Sequence, residues 1–233
     1  MVLPLFLAMN ASELTGSTLP EHCAWMACHF SSFGEGISNV PRVLPPGSML
    51  ILNDRIPCQG HSADLVAAQL SEVSMQLGCE SILLDFQRPD NPETEAVVQA
   101  VLDTASCTVC VSESYGQCLP CPVLLGPPPL HQPFAEYLLP WKDKEIWLEA
   151  ALCQSHITIT DKGAEFSPCY PGDNLEGGFY DETLCCHYHT QLEEGRILFT
   201  LFDTLESLDK KLELAHSMGV SRAVGLYQEL VKR

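Results

Sequence analysis

Short runs of apolar residues, each bounded by turn-forming residues, recur along the chain. Such runs are typical of strands that are buried on both faces of a parallel sheet. We count eight of them, at residues 3–9, 24–30, 49–54, 81–87, 108–113, 122–126, 145–150 and 223–229. Because eight parallel strands can close on themselves, the pattern predicts an α/β fold of the (β/α)8 TIM-like barrel type.

Helical periodicity connects some of these strands. Three stretches repeat apolar residues at spacings of three and four, and Gly78 and Gly219 supply stop signals for the first and the third. The apolar positions are Val66, Leu70, Val73 and Leu77, then Ala96, Val97, Ala100 and Val101, and finally Leu208, Leu212, Ala215 and Met218. The linkers 31–48 and 114–144 are instead rich in Gly and Pro. We therefore expect a barrel with reduced helices.

Residues 152–204 interrupt the alternation of strand and helix. The runs 157–160, 185–190 and 197–202 resemble antiparallel strands, with a turn at 161–163. We interpret 152–204 as a β-rich insertion within one barrel domain that spans 1–233. In an alternative interpretation, 197–203 is a barrel strand and 122–126 is not.

The composition and net charge indicate which classes of ligand and partner the protein can bind. The chain has 233 residues, of which 46% are hydrophobic, enough for a substantial core, and its formal charge is −18. That charge repels phosphates, so we expect no nucleic-acid or membrane partner and favour a neutral or cationic small ligand. The apolar residues 1–9 lack a preceding basic residue and are shorter than the roughly 20 residues of a membrane span. We predict a cytoplasmic protein whose 12 cysteines are reduced.

Polar residues cluster where the predicted strands end. Active sites of TIM barrels lie at the carboxyl ends of the strands. Candidate residues at or just after these ends are Asp54, Asp85, Gln87, Glu113, Tyr115, Glu149, Tyr227 and Glu229. Because residues two apart on a strand share a face, Asp85 and Gln87 are predicted to point the same way, as are Tyr227 and Glu229. Converging carboxylates can transfer protons, bind sugar hydroxyls or hold a divalent cation.

Two clusters of cysteine and histidine residues are candidate metal sites. Cys107 and Cys110 form one C-x-x-C pair and Cys118 and Cys121 another, but a strand at 108–113 would send Cys107 and Cys110 to opposite faces. The alternating residues Cys185, His187 and His189 would share a face and could be three ligands, or they could be ordinary side chains of an exposed strand. We predict no metal and no other cofactor.

Residues 80–87 read Glu-Ser-Ile-Leu-Leu-Asp-Phe-Gln. They resemble the fourth strand of family 18 glycoside hydrolases, the chitinase-like barrels, whose pattern is Asp-x-x-Asp-x-Asp-x-Glu. Residues 202–212 and 219–229 look like the segment that leads to the last strand of that family, and 180–188 is similar to part of its β-rich insertion. The resemblance covers roughly residues 49–230 and implies a glycan ligand.

This chain departs from the family pattern at chemically important positions. The resemblance implies that the terminal glutamate protonates the leaving oxygen and that the aspartate two residues earlier stabilises the acetamido group of the substrate. Asp85 keeps the second role, but Gln87 replaces the acid and Leu83 replaces another aspartate. A glutamine amide has no proton to transfer near neutral pH. The Met-x-Tyr-Asp of the sixth strand is also missing at 123–128, and the usual tryptophan of the last strand is replaced near Tyr227.

Two functional hypotheses follow. The leading one is a family 18-like barrel that has lost hydrolase catalysis and binds a glycan, such as one containing N-acetylglucosamine, at an acidic mouth. The rival is a working glycosidase or other hydrolase that uses Glu149, Glu113 or Glu229 as its acid, paired with a second carboxyl at a separation of about 5–9.5 Å.

Overall fold

A computed structural model describes residues 3–14, 19–32, 36–88, 91–169, 175 and 177–231. The strands are β1 Leu5–Met9, β2 Cys23–Phe30, β3 Ile37–Ser38, β4 Met49–Asn53, β5 Ser81–Asp85, β6 Thr108–Ser112, β7 Val123–Leu125, β8 Ile146–Ala150, β9 Gln154–Thr160, β10 Gly163–Cys169, β11 Phe179–Asp181, β12 Cys186–Glu193, β13 Arg196–Phe202 and β14 Arg222–Leu226. The helices are α1 Ala63–Leu77, α2 Pro92–Thr104, α3 Glu113–Gly116, α4 Phe134–Leu138, α5 Leu205–Ser217 and α6 Tyr227–Leu230.

Eight parallel strands close into a barrel, as predicted. Their order is β1, β14, β8, β7, β6, β5, β4 and β2, and β1 pairs with both β14 and β2. The short β3 adds an antiparallel edge to β2. Because β7 lies in the barrel and β13 lies in a separate sheet, the alternative assignment of 197–203 is wrong.

The three predicted helices are confirmed as α1, α2 and α5. Ser62 and Asn91 cap the first two through their side chains, and Gly78 ends α1 in the left-handed conformation at φ 65°. Thr204 and Ser207 form a capping box at the start of α5. Between β6 and β8, α3 and α4 are only 4 and 5 residues long, so the expected reduction of the helices is observed there. Among the described residues no helix is both long and apolar enough to cross a bilayer.

The barrel interior is filled by side chains and is not a channel. Its apolar contacts include Phe6, Ile51, Leu83, Cys110 and Trp147, and the Leu83 side chain is only 2% exposed. A leucine where the family pattern has an aspartate therefore belongs to this apolar filling.

Charged groups close the amino-terminal end of the barrel. The Arg222 guanidinium lies 4.9 Å from the centre of the Trp147 ring and forms an ion pair with Glu80. Glu80, the first acidic residue of the family 18-like segment, precedes β5 and so lies at the opposite end from the carboxyl ends of the strands.

The β-rich region forms a five-stranded antiparallel sheet in the order β10, β9, β13, β12 and β11. Strands β9, β12 and β13 match the predicted runs, whereas β10 and β11 are not indicated by the apolar pattern. Leu201 of this sheet packs with Cys186 against Leu130, which lies in the segment that follows β7. The sheet is therefore attached on the side of the barrel where the strands end.

Candidate functional site

A pocket of about 1310 Å³ opens at the carboxyl ends of the barrel strands. Its floor is apolar, because it is formed by interior side chains that include Ala8, Ile51, Leu83, Leu124 and Val224. Ligand pockets typically have volumes of about 300–1,000 Å³, so this one can accommodate more than one sugar ring.

The structure separates the predicted site residues into two groups. Asp54, Asp85, Gln87, Glu113 and Glu149 line the pocket. The pocket lining does not include Tyr115, Tyr227 or Glu229.

Tyr115 and Glu229 bond to backbone groups outside the pocket lining, and Tyr227 lies in a helix. Tyr115 lies on α3, its ring packs edge-to-face with Phe86 with the ring centres 6.1 Å apart, and its hydroxyl donates to the carbonyl of Arg88. The prediction that Tyr227 and Glu229 share a strand face is wrong, because β14 ends at Leu226 and both residues lie in α6. Glu229 Oε1 accepts a hydrogen bond of 2.6 Å from the Leu152 amide.

Asp85 and Gln87 both line the pocket, although the strand predicted over 81–87 ends at Asp85. Strand β5 ends at Asp85, and the Gln87 amide donates from beyond the strand to Asp85 Oδ1. Burial raises the pKa of Asp85; the Gln87 hydrogen bond opposes this rise and the charge of Asp54 adds to it. Gln87 is therefore a neutral partner of this carboxylate.

Asp54 joins two of the loops at the mouth. Its side chain is 6% exposed, and its Oδ2 accepts a hydrogen bond of 3.1 Å from the Arg88 amide. This bond links the residue after β4 to the segment after β5 and holds a second carboxylate near Asp85.

Glu149 lies late in β8 and is exposed to the pocket. Partial desolvation raises its pKa, and the charges of Asp85 and Glu229 raise it further. A raised pKa is the property that a carboxyl needs in order to hold a proton near neutral pH.

Asn53 is a pocket residue that the sequence reasoning missed. The pairing of β2 with β4 shifts register between Trp25 and Cys28, and the Asn53 amide donates to the carbonyls of Met26 at 3.0 Å and Cys28 at 2.9 Å. These two hydrogen bonds stabilise the irregular part of β2. Met26, which lies in that part of β2, lines the pocket together with Asn53. An amide at a predicted strand end, next to Asp54, is the signal that could have indicated it.

His29 and Arg55 also line the pocket. His29 Nε2 faces the Asn39 amide nitrogen at 2.8 Å, and His29 Nδ1 faces the Phe30 carbonyl at 2.6 Å. Both ring nitrogens of His29 are therefore engaged by groups of the protein. Arg55 brings positive charge to the lining.

The cysteine and histidine clusters are arranged for packing. Cys110 lies in the barrel interior, whereas Cys107 packs in the outer core, so the two face opposite sides as predicted. Cys185 precedes β12 with a positive φ of 53°, which corrects the expectation that it shares a strand face with His187 and His189. Both histidine rings stack on Phe202. Within the described ranges, no group of three or more His, Cys, Asp or Glu side chains is placed to hold a metal ion.

Removing the Glu149 charge is expected to stabilise the protein at neutral pH. The pKa of Glu149 is raised above its ordinary 4.5 in the fold, so its ionised form opposes folding at every pH above the raised value. That penalty disappears as the pH falls through the raised pKa towards 4.5. Glu149→Gln should therefore raise the melting temperature at pH 7, with a difference from wild type that shrinks towards pH 4.

Thermal melts of wild type, Glu149→Gln and Glu213→Gln across this pH range measure the effect. Glu213 is an exposed carboxylate of α5 outside the pocket and serves as the matched control. A lower melting temperature for Glu149→Gln at pH 7 would show that the ionised carboxylate is stabilised by the fold.

Structural comparison identifies the type of barrel. A spore cortex-lytic enzyme from Bacillus cereus aligns with a TM-score of 0.55 and 13% identity over 96% of this chain and 70% of its own. A glycoside hydrolase family 18 N-acetylglucosaminidase from Paenibacillus barengoltzii aligns with a TM-score of 0.57 and 9% identity over 99% and 98% of the two chains. A family 18 chitinase from Cycas revoluta, solved in complex with (GlcNAc)4, aligns with a TM-score of 0.57 and 10% identity over 95% and 94%.

No family profile and no curated protein sequence matches the chain. At 9–13% identity, the structural matches establish the fold alone, and that fold is a family 18-like TIM barrel.

Proposed function

We propose that the protein binds a glycan containing N-acetylglucosamine at the mouth of its barrel and does not hydrolyse it by the family 18 mechanism. The observation that carries this proposal is the hydrogen bond between Gln87 and Asp85 in the open pocket. At the position of the acid, the chain presents a neutral amide that can donate a hydrogen bond but cannot transfer a proton.

The shape and polarity of the pocket support a sugar as ligand. Its apolar lining offers the partly exposed side chains of Met26 and Leu124 to the apolar face of a sugar ring, while its walls offer carboxylates and amides to hydroxyl groups. The N-acetylglucosaminidase and the chitinase with the same fold handle such sugars, which makes N-acetylglucosamine the first candidate.

A binding titration tests the proposal. Calorimetry with (GlcNAc)4 should give saturable binding, and cellotetraose, which carries hydroxyl groups in place of the acetamido groups, should bind more weakly. Asp85→Asn should weaken the binding of (GlcNAc)4 by about tenfold, because a hydrogen bond to a charged group contributes about 1.5–3 kcal/mol. Asp161→Asn removes a carboxylate from an exposed turn of the β-rich sheet and should leave the affinity unchanged.

Two results would refute glycan binding at this pocket. One is the absence of binding by any tetramer. The other is binding that Asp85→Asn and Asp161→Asn affect equally.

A second candidate function is hydrolysis with Glu149 as the acid. Glu149 shares the pocket with Asp85, and its raised pKa favours the protonated form that a general acid needs. Glu113 also lines the pocket, but Glu229 is engaged with the Leu152 amide. Glu149 is therefore the carboxyl to test first.

A further inference from the structure

The rim of the pocket is strongly acidic. Four carboxylates line it, and each comes from a different strand end: Asp54 follows β4, Asp85 ends β5, Glu113 follows β6 and Glu149 lies in β8. Arg55 is the arginine of the lining. Carboxylates therefore dominate the charge that a ligand meets.

Among the described residues, the pocket carboxylates form no ion pair with a cation of the protein. The ion pairs formed among the described residues join Arg196 with Glu193, Lys210 with Glu206, Lys211 with Asp203 and Arg222 with Glu80. None of these pairs includes a carboxylate of the pocket. The pocket instead holds negative charges that repel one another, since Asp54 raises the pKa of Asp85 and Asp85 raises the pKa of Glu149.

The floor differs from the rim. Leu83 stands where the family 18-like pattern has a carboxylate, and it lies with Ile51 and Val224 in an apolar surface. A ligand that complements both regions has an apolar face for the floor and a positive charge for the rim. A sugar ring with a protonated amino group has both features, whereas an N-acetyl group is neutral.

We propose that the sugar unit in this pocket is 2-amino-2-deoxyglucose with a free, protonated amino group, as in a partly de-N-acetylated glycan. This inference rests on the proposed function and specifies its ligand. The ammonium group lies against the rim carboxylates near Asp85 and Glu149, and the ring lies over the apolar floor. An ammonium group donates charge-assisted hydrogen bonds to carboxylates, which are about twice as strong as neutral ones.

Calorimetry with matched tetramers tests the inference. Wild-type protein is titrated at pH 6.5 and low salt with (GlcN)4, with (GlcNAc)4 and with tetralysine, which carries four side-chain ammonium groups but no sugar ring. We expect (GlcN)4 to bind about tenfold more tightly than (GlcNAc)4 and tetralysine to bind more weakly than (GlcN)4.

Matched variants test whether a pocket carboxylate causes the preference for (GlcN)4 over (GlcNAc)4. Glu149→Gln keeps the size of the side chain and removes its charge, so it should abolish most of the preference for (GlcN)4. Glu213→Gln makes the same change of net charge outside the pocket and should keep the preference. Raising the salt concentration should reduce the preference in wild type, because exposed charges are screened.

The outcomes separate the two proposals. Equal affinity for (GlcN)4 and (GlcNAc)4, or tighter binding of (GlcNAc)4, would overturn the inference and leave glycan binding intact. The inference would also be overturned if tetralysine bound as tightly as (GlcN)4, or if Glu149→Gln and Glu213→Gln changed the preference for (GlcN)4 equally. Either result would show that the preference comes from the overall negative charge of the chain. Absence of binding by either sugar would overturn the proposed function itself.

Discussion

Aryl β-glycosides of N-acetylglucosamine are expected to remain intact when incubated with the wild-type protein, and Gln87→Glu is expected to raise turnover only slightly. Glycosidases need a carboxylic acid to protonate the leaving oxygen, and this step contributes about 10²–10⁴-fold to the rate. The pocket presents the Gln87 amide to Asp85 at this position.

Restoring the carboxyl at Gln87 does not restore its surroundings. Leu83 is buried in the barrel interior against other apolar side chains, so the next acidic residue of the family 18 pattern has no counterpart there. Strand β7 presents Leu124 to the pocket, and Leu124 carries no hydroxyl or carboxyl group. The variant therefore gains an acid without the polar groups that would orient a substrate around it.

Release of the aryl leaving group, followed by fluorescence over several pH values, measures this prediction. Wild type, Gln87→Glu, Glu149→Gln and the control Glu213→Gln are compared at equal concentration. Robust turnover by wild type that Glu149→Gln abolishes would contradict the prediction and favour the second candidate function. Turnover that survives Glu149→Gln would contradict both.

Replacing Lys211 with methionine is expected to lower the free energy of unfolding by about 3–5 kcal/mol. The Lys211 ammonium lies 2.6 Å from Asp203 Oδ1, and the two side chains are only 4% and 1% exposed. Asp203 also accepts hydrogen bonds from the Cys153 amide and the Ser207 hydroxyl. Methionine keeps the length of the side chain but leaves Asp203 as a buried charge without its cation.

Lys210→Met is the matched control, because Lys210 is the adjacent residue on α5 and its ion pair with Glu206 is exposed. Exposed pairs of this kind contribute little to stability, so Lys210→Met should lower the free energy of unfolding much less than Lys211→Met, even with the loss of the Lys210 contact to the Tyr180 ring. Urea denaturation gives both free energies. A loss for Lys211→Met no larger than that for Lys210→Met would show that the buried pair does not stabilise the fold.

Much of the barrel could be predicted from local patterns. The spacing of Val66, Leu70 and Val73 with the stop signal at Gly78 was sufficient for α1, because a helix is stabilised by interactions between residues three or four positions apart. The barrel strands were recognisable because burial on both faces demands continuous apolar runs.

Strand ends were harder to predict than strands. The last strand was predicted at 223–229 but ends at Leu226, and Tyr227 begins α6. The apolar pattern indicates where a strand can be buried, but its end depends on where a neighbouring strand stops offering hydrogen-bond partners. The edge strands β10 and β11 went unrecognised for the same reason, since pairing with β9 and β12 defines them.

The sequence predicts Asp85 and Gln87 at the pocket because both stand near the end of one apolar run, which is a local property. Gln87 lies beyond the end of β5 and meets Asp85 through a hydrogen bond that the alternation of a strand does not determine. Tyr115, Tyr227 and Glu229 are equally plausible by that criterion, yet none of them lines the pocket; the side chains of Tyr115 and Glu229 bond to backbone groups, and Tyr227 lies in α6. Asn53 entered the site through bonds to carbonyls of β2 that lie 25 and 27 residues earlier in the chain. Local spacing thus determines which elements form and which residues stand near their ends. The identity of the groups that meet in the pocket depends on the packing of strands that are distant in sequence.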